Sequence, residues 1–313
     1  MEFILDTNTY RNLARNLNPS QINDYADKLI QAENSLGCSR ALSIVVSMEL
    51  IQHLHSNDAA KNECFKALCL QSHHVGLNKS VNGFGVDYYP PLNIILTKYF
   101  FNNNSKYFHL CQVVKELILK LTNSNSNDSY SNFVTEIKAI ESQVFYEKDE
   151  FKKGIEVFIK SLNNGDIDWS FFKKNEKERD KLFGKINNHQ IENLLAFGLL
   201  IRAHQIMDMN ELCEDADSKL NQFILEFNAA LKMNSIIFEK IGHGIEKLNS
   251  LTDDRWNTIN DVQILFALAY KKGELKKKVL VTEDGEIIRV CTGSGLSNSI
   301  LKTKDYLQLL GVS

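Results

Sequence analysis

Phe3-Ile4-Leu5 is a short apolar run cut off by Asp6-Thr7-Asn8-Thr9, which predicts a brief buried strand stopped by a polar turn. Residues 41–46, rich in β-branched side chains, predict a second strand, with Ser47 as N-cap of a helix running through Glu49, Leu50 and Leu54. Helical spacing is expected over residues 10–16, 19–35 and 59–71. From about residue 75 the texture changes. Gly76, Gly83, Gly85 and Pro90-Pro91 mark an irregular stretch. Long amphipathic segments follow, at about 106–121, 132–162, 181–207 and 211–248. In one of them Leu220, Phe223, Phe227 and Leu231 recur three and four apart, as one buried helix face does. Residues 123–129 read as a polar connector.

The tail returns to short alternating elements. Residues 257–271 predict a helix with Ile259, Val262, Phe266 and Ala269 on one face, and 278–282 a strand stopped by Glu283-Asp284-Gly285-Glu286. A short helix or loop, a small strand at 299–302 and a helix at 304–310 complete the chain. Buried strands alternating with helices at both ends predict an α/β fold whose short parallel sheet is assembled from both termini. Residues 1–75 and 251–313 then form one discontinuous domain, and 76–250 a mainly helical insertion.

Only 3 prolines in 313 residues support a largely helical chain, since helix interiors reject proline. The net charge of −3 supplies no global cationic field for nucleic acid, so such contacts must come from local patches or through metal ions. The six cysteines contain no Cys-x-x-Cys pair and read as reduced thiols rather than a disulfide framework or zinc site. The opening residues are too short and acidic for a secretory leader, and the longest apolar run, 194–201, is too short for a membrane span. The expectation is a cytoplasmic protein with no membrane partner.

Four carboxylates occupy equivalent places in this scheme. Asp6 ends the first strand and Asp284 follows the 278–282 strand, while Glu49 and Asp261 lie in the first turns of their helices. Singly, each has an ordinary role open to it, as a turn residue or a helix-start acid. Strand C-termini and the following helix N-termini of a parallel sheet share one edge, however, so all four converge on one rim. Crowded carboxylates raise one another's pKa unless a cation neutralises them, and hard oxygen ligands suit Mg²⁺ or Mn²⁺.

With this order of motifs the chain resembles the PIN-domain nucleases. The resemblance rests on Phe3-Ile4-Leu5-Asp6-Thr7-Asn8, Ser47-Met48-Glu49-Leu50, Asn260-Asp261-Val262 and Thr282-Glu283-Asp284-Gly285-Glu286, with an echo of the usual strand and helix in the tail at 302–310. It covers the two ends only; the long insertion departs from the small members. It implies a metal-dependent endoribonuclease, less often acting on DNA, in which Asp6, Glu49, Asp261 and Asp284 hold Mg²⁺ or Mn²⁺ and hydrolyse phosphodiester bonds. Asn8 and Thr282, with Glu286, are the expected supporting or substrate-facing residues. The insertion is the expected surface for a protein partner or a second copy.

Two alternatives stand beside this reading. One is a PIN-like scaffold that binds RNA or protein without cleaving. The other is a haloacid-dehalogenase-like phosphatase, which also starts from a strand ending in Asp but wants an acid where Asn8 stands. Other features are expected to be structural. The lysine-rich run at 271–278 falls at the opposite sheet edge, and residues 172–181 read as an exposed charged helix face. His53, though four after Glu49 and so placed to permit metal ligation, is expected to be packed or solvent-facing, and His73-His74 lack a partner with zinc-type spacing. Arg40, Arg202 and Lys240 are possible substrate contacts that the sequence does not discriminate.

Overall fold

The computed structural model describes residues 1–54, 59–103, 107–123, 132–209, 215–244, 258–270 and 276–312. Its strands are β1 (Glu2–Leu5), β2 (Ser39–Arg40), β3 (Leu42–Ser43), β4 (Tyr88–Tyr89), β5 (Lys278–Val281) and β6 (Ile300–Leu301). The helices of the first third are α1 (Thr7–Ala14), α2 (Pro19–Ser35), α3 (Ile44–Gln52), α4 (Lys61–His74) and α5 (Leu92–Phe101). The middle holds α6 (Phe108–Asn123), α7 (Val134–Leu162), α8 (Phe171–Lys174), α9 (Glu176–Asn187), α10 (Gln190–Ile206), α11 (Ala216–Glu226) and α12 (Asn228–Gly242). The last are α13 (Thr258–Ala269), α14 (Gly285–Gly293) and α15 (Thr303–Leu310). The described chain is mostly helical around a small parallel sheet.

That sheet has the order β2-β1-β5-β6, every pairing parallel. The central pair comes from opposite ends of the chain, with Phe3 beside Val279 and Leu5 beside Val281. Phe3, Ile4, Leu5, Val279, Leu280 and Val281 are all buried, as expected of strands covered on both faces. β3 and β4 make a separate parallel pair, Leu42 beside Tyr88 and Ser43 beside Tyr89.

Several expected boundaries are corrected. The strand expected over 41–46 stops at Ser43, whose hydroxyl accepts from Val46 N at 3.4 Å and caps α3. Ser47, expected as the cap, lies inside that helix and donates to Ser43 O at 3.0 Å and to Gln71 Oε1 at 2.9 Å. Ile44, Val45 and Val46 are buried in a helix packed all round, so burial outweighs their weak preference for strands. The turn expected after β1 is absent, because Asp6 caps α1 directly. The segment 181–207 breaks at His189, which holds a left-handed φ of 56°, and 211–248 breaks at Phe227 between α11 and α12. Helix α5, after Pro90-Pro91, was not expected. Of the charged stretch 172–181, Phe172 is buried while Lys173–Lys177 are exposed. The connector at 124–129, and 271–275 of the lysine-rich run, lie outside the described residues.

One buried cluster contains Phe3, Leu5 and Val281 together with Leu96, Phe100, Leu117, Phe223 and Leu231. The Tyr89 hydroxyl on β4 donates to Glu2 on β1. A second buried cluster, including Ile155, Phe172, Leu182 and Phe238, lies mainly within the helical segment and reaches Ile259 of α13.

A buried polar knot ties α1, α2, α4 and α15 to β2. Glu33 of α2 accepts from Arg40 at 2.9 Å and from the Tyr306 hydroxyl of α15 at 2.8 Å, and lies 3.1 Å from His74 Nε2 of α4. His74 Nδ1 lies 3.0 Å from the Tyr10 hydroxyl of α1. Burial alone would raise the Glu33 carboxyl, but His74, Arg40 and Tyr306 together hold it below the usual range. His73 beside it is 2.9 Å from Asp27 Oδ1 and 2.8 Å from Asn78 Nδ2. Both histidines therefore have structural partners. No helix among the described residues is long and apolar enough to cross a membrane.

Candidate active site

The C-terminal ends of β1 and β5 deliver Asp6 and the 282–286 turn to the same edge of the sheet. Asp6 is buried and serves as N-cap of α1, accepting from Thr9 N at 2.6 Å through Oδ1. The Thr282 hydroxyl donates to its Oδ2. The Thr9 hydroxyl donates to Val281 O at 3.0 Å, so the first turn of α1 is pinned to the end of β5. Burial pushes the Asp6 carboxyl up to about 6, against the lowering effect of the Thr282 and Thr9 bonds.

Asp284 is built in the same way. It caps α14, with Oδ1 accepting from Glu286 N and Ile287 N, each at 2.8 Å. Its own N–H donates to the Thr282 hydroxyl at 3.0 Å, so Thr282 links the two strand-end aspartates. Thr282 N donates to Leu301 O at 2.9 Å, which holds this turn to β6.

Glu49 and Asp261 come from α3 and α13. Because α3 starts at Ile44, Glu49 lies in its second turn rather than its first. It accepts from the Thr7 hydroxyl of α1 at 2.5 Å, which ties it to the residue after Asp6. Asp261 is half-buried in the first turn of α13. Burial first, then the charges of Glu49, Asp284, Asp6 and Glu286, push its carboxyl up to about 8. Asp261 thus stands in the combined field of every other expected acid.

Of the expected supporting residues, Thr282 bonds Asp6 and Asp284, whereas Asn8 is exposed on α1 and its neighbours Thr7 and Thr9 bond Glu49 and Asp6. The signal for those two was available. A strand-end aspartate that caps a helix turns its N1 and N3 residues back toward the strand ends. Glu286 also lies at the rim, paired with Lys240 of α12 at 2.8 Å.

The donors on this rim are hard oxygens, the chemistry that Mg²⁺ and Mn²⁺ prefer. A carboxyl driven to about 8 by burial and then by the charges of its neighbours is a place where a proton or a cation is favoured. The residue types therefore fit a divalent ion. As they stand, no three His, Cys, Asp or Glu side chains among the described residues converge on a common point for a metal. Compared with protein-family models, curated proteins and solved structures, the chain matches none.

Proposed function

We propose that this chain is a PIN-like, metal-dependent endoribonuclease with its reaction centre on the rim of Asp6, Glu49, Asp261 and Asp284. The observation that carries the reading is Asp261, raised by burial and by the charges of four other acids contributed by three other segments of the chain. When bound, Mg²⁺ or Mn²⁺ would supply a nucleophile at neutral pH and neutralise charge developing on the scissile phosphate.

The chain's own residues do the positioning. Thr282 and the Thr9 N–H fix both oxygens of Asp6, and the Thr7 hydroxyl orients Glu49. The amides of Glu286 and Ile287 fix Asp284. The free thiols of Cys38, Cys64, Cys69, Cys111 and Cys291 fit a reducing cytoplasm.

The test is incubation of the purified protein with total RNA, in Mn²⁺ and in EDTA, with sequencing of the ends produced. New internal ends in Mn²⁺ alone support the reading. RNA binding with no new ends would favour the scaffold alternative, and cleavage confined to DNA would correct the substrate.

A further inference from the structure

The three cations left undiscriminated by the sequence separate in space. Arg40 of β2 is engaged with Glu33 at 2.9 Å, and Arg202 with Glu147 at 2.6 Å within the helical segment. Lys240 is the one of the three that reaches the acidic rim, its Nζ 2.8 Å from Glu286 Oε2.

Two contacts join α12 to α14. Lys232 Nζ donates to Gly293 O at 3.2 Å at the far end of α14, and Lys240 meets Glu286 at the near end. The helices therefore run antiparallel. The paired positions lie about 12 Å apart along α12 and about 10.5 Å apart along α14, so the two ties agree in register. The C-terminal end of α12 is thereby held against the N-terminus of α14, next to the Asp284 cap.

We propose that Lys240 is a substrate-binding residue. It leaves Glu286 to hold a backbone phosphate of the RNA beside the scissile one. The inference rests on the nuclease reading above. A rim built of acids repels a polyanion, so substrate needs positive charge from outside the acid set. Lysine provides this as a compact charge on a flexible four-carbon stem, and phosphate contacts of this kind position nucleic acid without reading its sequence. The Lys240 and Glu286 side chains are 24% and 34% exposed, so the pair is partly open to solvent and to an incoming phosphate. Lys240 also belongs to the helical segment, so substrate contact and the acid site come from different parts of the chain.

The test measures binding of a fluorescent single-stranded oligoribonucleotide in Ca²⁺, and KM and kcat for its cleavage in Mn²⁺. The proteins compared are wild type, Lys240→Ala, Lys240→Arg and Glu286→Gln. Lys240→Ala should weaken binding and raise KM about tenfold, the worth of one partly solvated charge-assisted contact, with kcat little changed. It should also reduce the slope of log affinity against log salt by about one. Lys240→Arg should restore most of the binding, and Glu286→Gln, which removes one negative charge beside the lysine, should tighten it.

Unchanged KM and salt slope in Lys240→Ala would overturn the proposal. So would weaker binding in both Lys240→Ala and Glu286→Gln, which would make the pair a structural tie. A wild-type protein that neither binds nor cleaves the RNA overturns the nuclease reading itself, and that result is visible before any variant is made.

Discussion

The Thr282 hydroxyl donates to Oδ2 of Asp6, joining two strand ends that lie 276 positions apart in the sequence. The same oxygen accepts from Asp284 N at 3.0 Å. One threonine therefore sets the relative position of two of the four rim acids. Thr282→Val keeps the shape and removes both bonds. It should cost about 1–2 kcal/mol in urea denaturation with EDTA present, the usual penalty for leaving a buried acceptor unsatisfied. Thr282→Ser should recover most of that loss, and a Val variant as stable as wild type would show that the bond contributes nothing.

On the proposed metal reading, Asp6→Asn and Asp261→Asn should each fold and each lose at least about tenfold in Mn²⁺ affinity, since each would remove a charged oxygen ligand from a crowded anionic site. Calorimetric titration with Mn²⁺ checks this, with circular dichroism confirming the fold. A haloacid-dehalogenase-like enzyme would instead depend on Asp6 alone and show a phosphorylated aspartate.

The rim should also give the metal-free protein an inverted pH profile. Asp261 and Asp6 have folded values of about 8 and about 6, above the ordinary carboxylate range near 4. A raised acid binds its proton more tightly when folded. Its stabilising contribution is complete below the unfolded value and is lost as pH rises through the folded one. In EDTA the melting temperature should therefore fall from about pH 4 to about pH 8. Mn²⁺ should restore it most at the upper end, and Asp261→Asn should flatten the slope. A profile in EDTA that is flat for wild type would contradict the charge crowding.

Glu33 predicts the opposite sign at the acid end. Its carboxyl is held low in the folded protein, so its contribution is present above the ordinary glutamate value of about 4.3 and is lost as pH falls through the folded one. Glu33→Ala leaves Arg40, His74 and Tyr306 without their shared acceptor and should cost about 3–5 kcal/mol by urea denaturation.

Much of the sheet and its rim was legible in the sequence because the central strands are short apolar runs cut by polar turns. Phe3-Ile4-Leu5 before Asp6, and Val279-Leu280-Val281 before Thr282, are buried on both faces and leave no helical alternative at that length. Helix α2 was readable because Pro19 opens it and Ile22, Ala26 and Leu29 repeat on one face. Elements buried all round carry no such stripe. Ile44-Val45-Val46 reads as strand by composition, yet folds as helix because Ser43 caps it and its neighbours cover every side. Helix α5 was missed for the same reason, its residues Leu92–Thr97 being buried without a polar face. The breaks at His189 and Phe227 lack the glycine or proline that would announce them. Lys240 could not be singled out, since its nearness to Glu286 depends on the antiparallel packing of α12 on α14.

The most direct test of the central claim is cleavage of one defined single-stranded RNA by wild type and Asp261→Asn side by side, in Mn²⁺ and in EDTA. Strand scission by wild type in Mn²⁺, lost in EDTA and lost in Asp261→Asn, is the expected result. Cleavage that persists in EDTA, or that Asp261→Asn performs as fast as wild type, would contradict a metal-dependent reaction on this rim.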